Sequence, residues 1–127
     1  MSKLILCLFL LFNIYICEEP KNIKVFEYNY GKDNLIKIRT DEEFKIKLYE
    51  ARPRTPWILF NKNETQKYLQ LLKNYKGCEG RPHSAAGIRC YAYFHFKALK
   101  KTKEDKFLIY SLGNNGQSFK IFKINIE

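Results

Sequence analysis

The chain predicts an all-β fold: an Ig-like antiparallel β-sandwich of about seven or eight strands. Short runs with apolar residues at every second position recur along it, separated by turns rich in glycine, proline and asparagine. Aromatic residues make up 16% of the chain, and most fall at alternating positions, where a β-core places them. No heptad, internal repeat or low-complexity tract competes with this pattern. A closed barrel is the alternative architecture.

The first strand is read over 23–30, with Val25, Phe26, Tyr28 and Tyr30, and Gly31 and Asn34 turn the chain. A second run spans 35–39, and a polar turn leads to 44–48. There Phe44, Ile46 and Leu48 alternate with lysines, as in a half-buried strand. Pro53 and Pro56 forbid a ladder and predict a stiff, extended loop over 52–56. The only tryptophan, Trp57, then leads Ile58, Leu59 and Phe60 toward the core. Residues 68–72 suit either a strand or a helical turn. The stretch 77–90 holds three glycines and lacks periodicity, so it is expected to be a long loop tied at its base by cysteines. From 90 to 98 the alternation resumes, with Ala92, Phe94, Phe96 and Ala98 inward and Tyr91, Tyr93, His95 and Lys97 outward. A charged turn, an apolar run over 107–111, a Gly113 to Gly116 turn and a terminal strand over 119–126 complete the reading.

Residues 1–17 read as a secretory signal peptide: Lys3 is its only charge, and 4–16 is apolar but for Asn13. It is too short, and too soon followed by charge, to span a bilayer. The remaining 18–127 would then form one sandwich domain, secreted or held in a vesicular lumen, with no stable membrane insertion after signal removal. An uncleaved anchor is the alternative. Asn63, Glu64 and Thr65 form a glycosylation sequon, with Asn63 the acceptor.

The formal charge is +10, and removing the leader takes away one lysine and no acid, leaving +9. That balance favours acidic partners. The basic residues are spread along the chain rather than gathered on one stripe, which argues against nucleic acid. A basic effector that adheres to anionic surfaces remains a minor reading. Of the four cysteines, Cys7 and Cys17 belong to the leader or its edge, and Cys78 and Cys90 remain as an even pair expected to bridge in an oxidising compartment.

Catalytic signatures are thin. There is no Gly-x-Ser-x-Gly elbow, phosphate-binding glycine loop or His-Glu-x-x-His. His83 and His95, the two histidines, lack metal-ligand spacing to the cysteines, and no acidic pair suits glycosidase chemistry. The expectation is a binding protein, not an enzyme, with neither metal nor cofactor and monomeric.

Alternate connections of such a sandwich emerge at one end. The 52–56 loop, the 77–90 stretch and the Gly113 to Gly116 turn would therefore share an edge, and loops on a rigid scaffold commonly bind.

The chain resembles the chagasin-like inhibitors of papain-type cysteine proteases over 31–126. Residues 34–48 are similar in spacing to that family's opening hairpin. Arg52, Pro53, Arg54 and Thr55 before Pro56 and Trp57 look like its next loop, with Arg52 where the family has Asn. His83, Ser84, Ala85, Ala86 and Gly87 match its glycine-rich middle loop, and the run from Phe94 through His95 to Ala98 is close to the following strand. After Tyr110, Gly113 and Asn114 stand near the third loop, where the family's Arg-Pro-Trp is absent. The resemblance implies an Ig-like sandwich that obstructs the cleft of a papain-like cysteine protease, with Thr55 nearest the catalytic cysteine. The reading from another class is a secreted Ig-like interaction module that uses the same edge on another protein or a glycan.

Overall fold

Strand direction alternates along the chain, and that alternation builds the molecule. The computed structural model describes residues 22–51, 55–83, 87–113 and 118–127. The expected signal peptide therefore lies outside the described residues. Among them are eight strands: β1 (Lys24–Glu27), β2 (Leu35–Ile38), β3 (Glu43–Tyr49), β4 (Trp57–Leu59), β5 (Leu69–Gly80), β6 (Ile88–Ala98), β7 (Lys106–Leu112) and β8 (Phe119–Ile126). One short helix, α1 (Lys62–Thr65), lies between β4 and β5. The strands form two four-stranded sheets, sheet A in the order β1-β3-β6-β5 and sheet B in the order β2-β8-β7-β4. This is the β-sandwich expected from the alternation.

Both sheets are mixed rather than purely antiparallel. β1 runs parallel to β3, and β2 parallel to β8. The cause is the crossing at 28–34, which carries the chain from sheet A to sheet B, and the turn at 39–42, which carries it back. The intervening strand lies in the opposite sheet, so two strands of like direction become neighbours. β1 is also shorter than expected, because Tyr28 and Tyr30 belong to the crossing.

The period-two reading locates the core well. Phe44, Ile46 and Leu48 on β3 and Ala92, Phe94, Phe96 and Ala98 on β6 are buried. Facing them are Ile36 and Ile38 on β2, Leu108 and Tyr110 on β7, and Phe122, Ile124 and Ile126 on β8. Phe94 meets Tyr110 across the layers with ring centroids 4.8 Å apart. Burial of these side chains is the main driving force for the fold.

Several expectations need correction. Residues 77–90 are not one long loop: β5 continues to Gly80 and β6 begins at Ile88. Cys78 and Cys90 stand directly opposite each other in the ladder and form a disulfide with Cα atoms 4.0 Å apart, a rung of the hairpin inside its tip. The glycines that suggested a loop instead allow close approach. A Cβ at Gly77 would meet the Tyr93 ring, and one at Gly80 would collide with the Gly87 carbonyl oxygen. Phe60, expected to enter the core, is exposed, because β4 ends at Leu59. The 68–72 ambiguity resolves as strand from Leu69, with an irregularity between Leu71 and Lys73 that leaves Leu72 exposed. His95 points to the outer face as expected, yet it is buried there, its Nε2 2.9 Å from Glu43 Oε1.

Candidate functional site

Four connections emerge at the end of the sandwich where β3 finishes: the 28–34 crossing, the 50–56 loop, the 81–87 hairpin tip and the 113–118 turn. Main-chain hydrogen bonds tie three of them together. Glu50 N donates to Cys90 O at 3.0 Å, linking the first loop to the base of the hairpin. Gly113 N donates to Pro56 O at 2.8 Å, linking it to the third. Leu112 N to Ser118 O closes that turn.

The 50–56 loop is fixed at both ends by side chains. Trp57 is buried, and its indole Nε1 donates to Tyr49 O at 2.9 Å, spanning the base of the loop. The Glu50 carboxylate is buried and pairs with Lys76 on β5 at 3.0 Å. A buried carboxylate needs such a partner, so entry into the loop is anchored to the edge strand of sheet A. Thr55 lies against Gly113, where a Cβ would stand 2.9 Å from Thr55 Cγ2. Gly113 has φ +63, a left-handed conformation that glycine adopts without penalty.

The hairpin carrying the middle tip is braced on its outer face. Lys47 on β3 reaches Glu79 at 2.9 Å and Glu27 at 3.1 Å, and its ammonium lies 4.1 Å from the Tyr91 ring centroid. The Glu79 hydrogen bond, aided by Glu27 and opposed by burial, holds the Lys47 pKa well above the ordinary lysine value. Tyr75 and Tyr93 stack with centroids 5.0 Å apart beside it.

Of the residues singled out from sequence, Thr55, Pro56, Trp57, His83, Gly87 and Gly113 lie at this end of the sandwich. Thr55, Pro56, Trp57 and Gly113 are brought into direct connection, whereas His83 is exposed on the hairpin tip. Arg52, Pro53, Arg54, Ser84, Ala85, Ala86 and Asn114 lie outside the described residues. Asn63 is far from this end, exposed on α1, and the Thr65 hydroxyl of its sequon is turned inward to Lys62 O at 3.1 Å.

Sequence reasoning missed Lys120. It is inward-facing on β8 and only 8% exposed, with its ammonium 4.8 Å from the Trp57 ring centroid and 5.4 Å from those of Tyr28 and Tyr30. The signal was available: counting by two from Ile126 through Ile124 and Phe122 puts Lys120 inside. The three rings supply the electron-rich faces that offset its loss of water. Lys120 thereby joins the 28–34 crossing to the residue that ends the 50–56 loop.

Among the described residues the site holds no free thiol and no metal-ligand cluster. Both cysteines there are in the disulfide, and no group of three or more His, Cys, Asp or Glu is placed to hold a metal.

Two four-stranded sheets with linked connections at one end define the class of small two-sheet β-sandwiches. Among solved structures, the cysteine protease inhibitor EhICP2 from Entamoeba histolytica aligns with a TM-score of 0.55 and 12% identity, over 85% of this chain and 100% of that one. The solution structure of amebosin aligns with a TM-score of 0.52 and 13% identity, over 84% of this chain and 99% of that one. The fold is shared with both over nearly their whole length and most of this chain, as the resemblance to the chagasin-like inhibitors implied. No protein-family model and no curated protein matches the sequence.

Proposed function

We propose that the chain is a secreted inhibitor of papain-like cysteine proteases that fills the active-site cleft without covalent chemistry. The observation that carries this reading is the joining of three loops at one end of the sandwich, through Glu50 to Cys90 and Pro56 to Gly113. The fold likeness to EhICP2, a cysteine protease inhibitor, supports it.

In this reading the 50–56 loop is the tip of a wedge, with Arg52, Pro53, Arg54 and Thr55 entering the cleft. His83, Ser84, Ala85, Ala86 and Gly87 flank it on one side, and Gly113 and Asn114 on the other. Two prolines, the Trp57 bond and the Glu50 ion pair fix the loop before binding, which lowers the ordering cost of association. A cleft-bound loop held this way also resists being cut as a substrate. The signal peptide expected over 1–17 and the Cys78–Cys90 disulfide support a secretory or vesicular location.

The test is inhibition of a papain-like protease by the refolded protein. Inhibition should be reversible, and Thr55→Glu should weaken it while leaving the folded state intact. Absence of inhibition at micromolar concentration would leave the same edge as an interaction surface for another protein or a glycan.

A further inference from the structure

The two outer faces of the sandwich differ in kind. Sheet A presents Lys45, Lys47 and Lys97 among tyrosines, the polar alternation of a solvated face. Sheet B is largely apolar on both sides. Its outer face carries Leu35 on β2, Phe119 and Ile121 on β8, Phe107 on β7, Ile58 on β4 and Phe60 just beyond it, each between 37% and 64% exposed.

Strand register places these residues in rows across the sheet. Leu35, Lys123 and Phe107 are adjacent, and Ile121 stands opposite Ile109. Phe119 stands opposite Ser111, which in turn faces Ile58. The Phe60 and Phe119 rings meet edge to face over β7 with centroids 5.7 Å apart. Lys37 and Lys123 project from the same face, and Lys32 and Lys123 border a shallow groove of about 280 Å³ floored by Leu35, Phe107 and Ile121.

We propose that this face binds the surface of an anionic lipid bilayer. A largely apolar face carrying Lys37 and Lys123, on a chain whose formal charge of +10 falls only to +9 without residues 1–17, calls for a partner that is both apolar and negative. A second copy would bring two such charges together across the contact. A dry protein interface disfavours a lysine at its centre, yet Lys123 stands between Leu35 and Phe107 in the middle of a row. At a bilayer surface the same arrangement is favourable. Phe and Ile side chains enter the acyl boundary while flexible lysine stems lift their ammonium groups to lipid phosphates. Lys123 stands 4.0 Å from Asp105, but both are about half-exposed, so that pair is weak competition. The protein would lie on the membrane rather than span it. The loop end, at the termini of the strands, would remain free at the side.

The test is co-sedimentation of residues 18–127, which contain every strand of both sheets, with vesicles of phosphatidylcholine alone or with about one-third phosphatidylserine. Binding should require phosphatidylserine and fall with added salt. Lys37→Glu with Lys123→Glu should weaken it by roughly fivefold or more per site. Phe60→Ser with Phe119→Ser should reduce it by about tenfold or more, with circular dichroism and the disulfide unchanged. Equal binding to both vesicle types, or none to either, would overturn the proposal. So would a wild-type dimer, seen by light scattering, that the Phe60→Ser, Phe119→Ser variant abolishes, because the face would then be a self-interface. Uniform binding across wild type and both variants would overturn it as well.

Discussion

The indole nitrogen of Trp57 donates to the carbonyl of Tyr49 at 2.9 Å, so the residue leaving the 50–56 loop ties down the residue entering it. The two ends of the loop are thus fixed to each other. Trp57→Phe keeps most of the buried ring and removes the donor. Stability should fall by about 1 kcal/mol, read from the urea midpoint. Inhibition of a papain-like protease should fall by more than the lost folded fraction explains. An unchanged midpoint would show that the bond contributes nothing.

The disulfide acts on a hairpin that is already laddered. Cys78 and Cys90 are 12 residues apart in sequence and directly paired. Replacing both with serine should lower stability by about 3 kcal/mol in the chain-entropy view, seen as a shift of the denaturation midpoint. The sheet should survive, because pairing continues below the disulfide through Gly77 and Tyr91. A count of two free thiols from Cys78 and Cys90 in the native, non-reduced protein would contradict the bridge itself.

Strand placement was legible wherever one face is buried and the other is wet, because alternation then records both. Residues 44–48 and 90–98 show this: their inward apolar residues are all buried, and His95 is the outward residue that is buried as well. The hairpin tip was illegible because Gly77 makes room for the Tyr93 ring and Gly80 for the Gly87 carbonyl, which looks the same in sequence as a loop. Sheet B hid its outer face for the opposite reason. Phe119 and Ile121 are as apolar as Phe122 and Ile124, so composition alone cannot say which pair is inside. The parallel edge pairs and the Lys120 cage depend on the crossing at 28–34, whose path follows from packing and not from any local signal. At the loop end, Trp57 was visible, but its link to Tyr49 and the Glu50 to Lys76 pair join residues whose relation is purely spatial.

Tyr110 should make the protein sensitive to alkali. Its side chain is fully buried, its hydroxyl has no hydrogen-bond partner among the described residues, and burial raises its pKa well above the ordinary tyrosine value. Burial also pushes the Tyr68 phenol up to about 12, with the Glu64 charge adding to it. Lys47 is raised as well. Above about pH 10 the unfolded chain releases protons that the folded state retains, so stability falls as pH rises. Below that pH these groups add no slope. The limiting slope is about 1.4 kcal/mol per pH unit for each fully retained proton. Tyr110→Phe removes one such proton and the unsatisfied hydroxyl together. It should be neutral or stabilising by about 1 kcal/mol at neutral pH, with a shallower alkaline loss. A cost above about 1 kcal/mol would mean that the hydroxyl is satisfied by a bound water.

Thr55 and Gly113 provide the sharpest test that the first and third loops form one surface. Gly113→Ala has two costs. The left-handed backbone at φ +63 strains any side chain, and the new Cβ meets Thr55 Cγ2 at 2.9 Å. The first cost is local, about 1 kcal/mol, and no change at position 55 can relieve it. The second belongs to the pair. Thr55→Ser removes the methyl group and should be nearly silent alone. Combined with Gly113→Ala, it should recover the steric share and leave only the backbone strain, giving a coupling of about 0.5 kcal/mol or more in a double-mutant cycle. The same cycle read through protease inhibition should show coupling of the same sign, because a shift of the 113–118 turn is transmitted to Thr55 through the Gly113 to Pro56 hydrogen bond. Strictly additive values in both readouts would mean that the two loops move independently, and a wedge built from them would lose its rigidity.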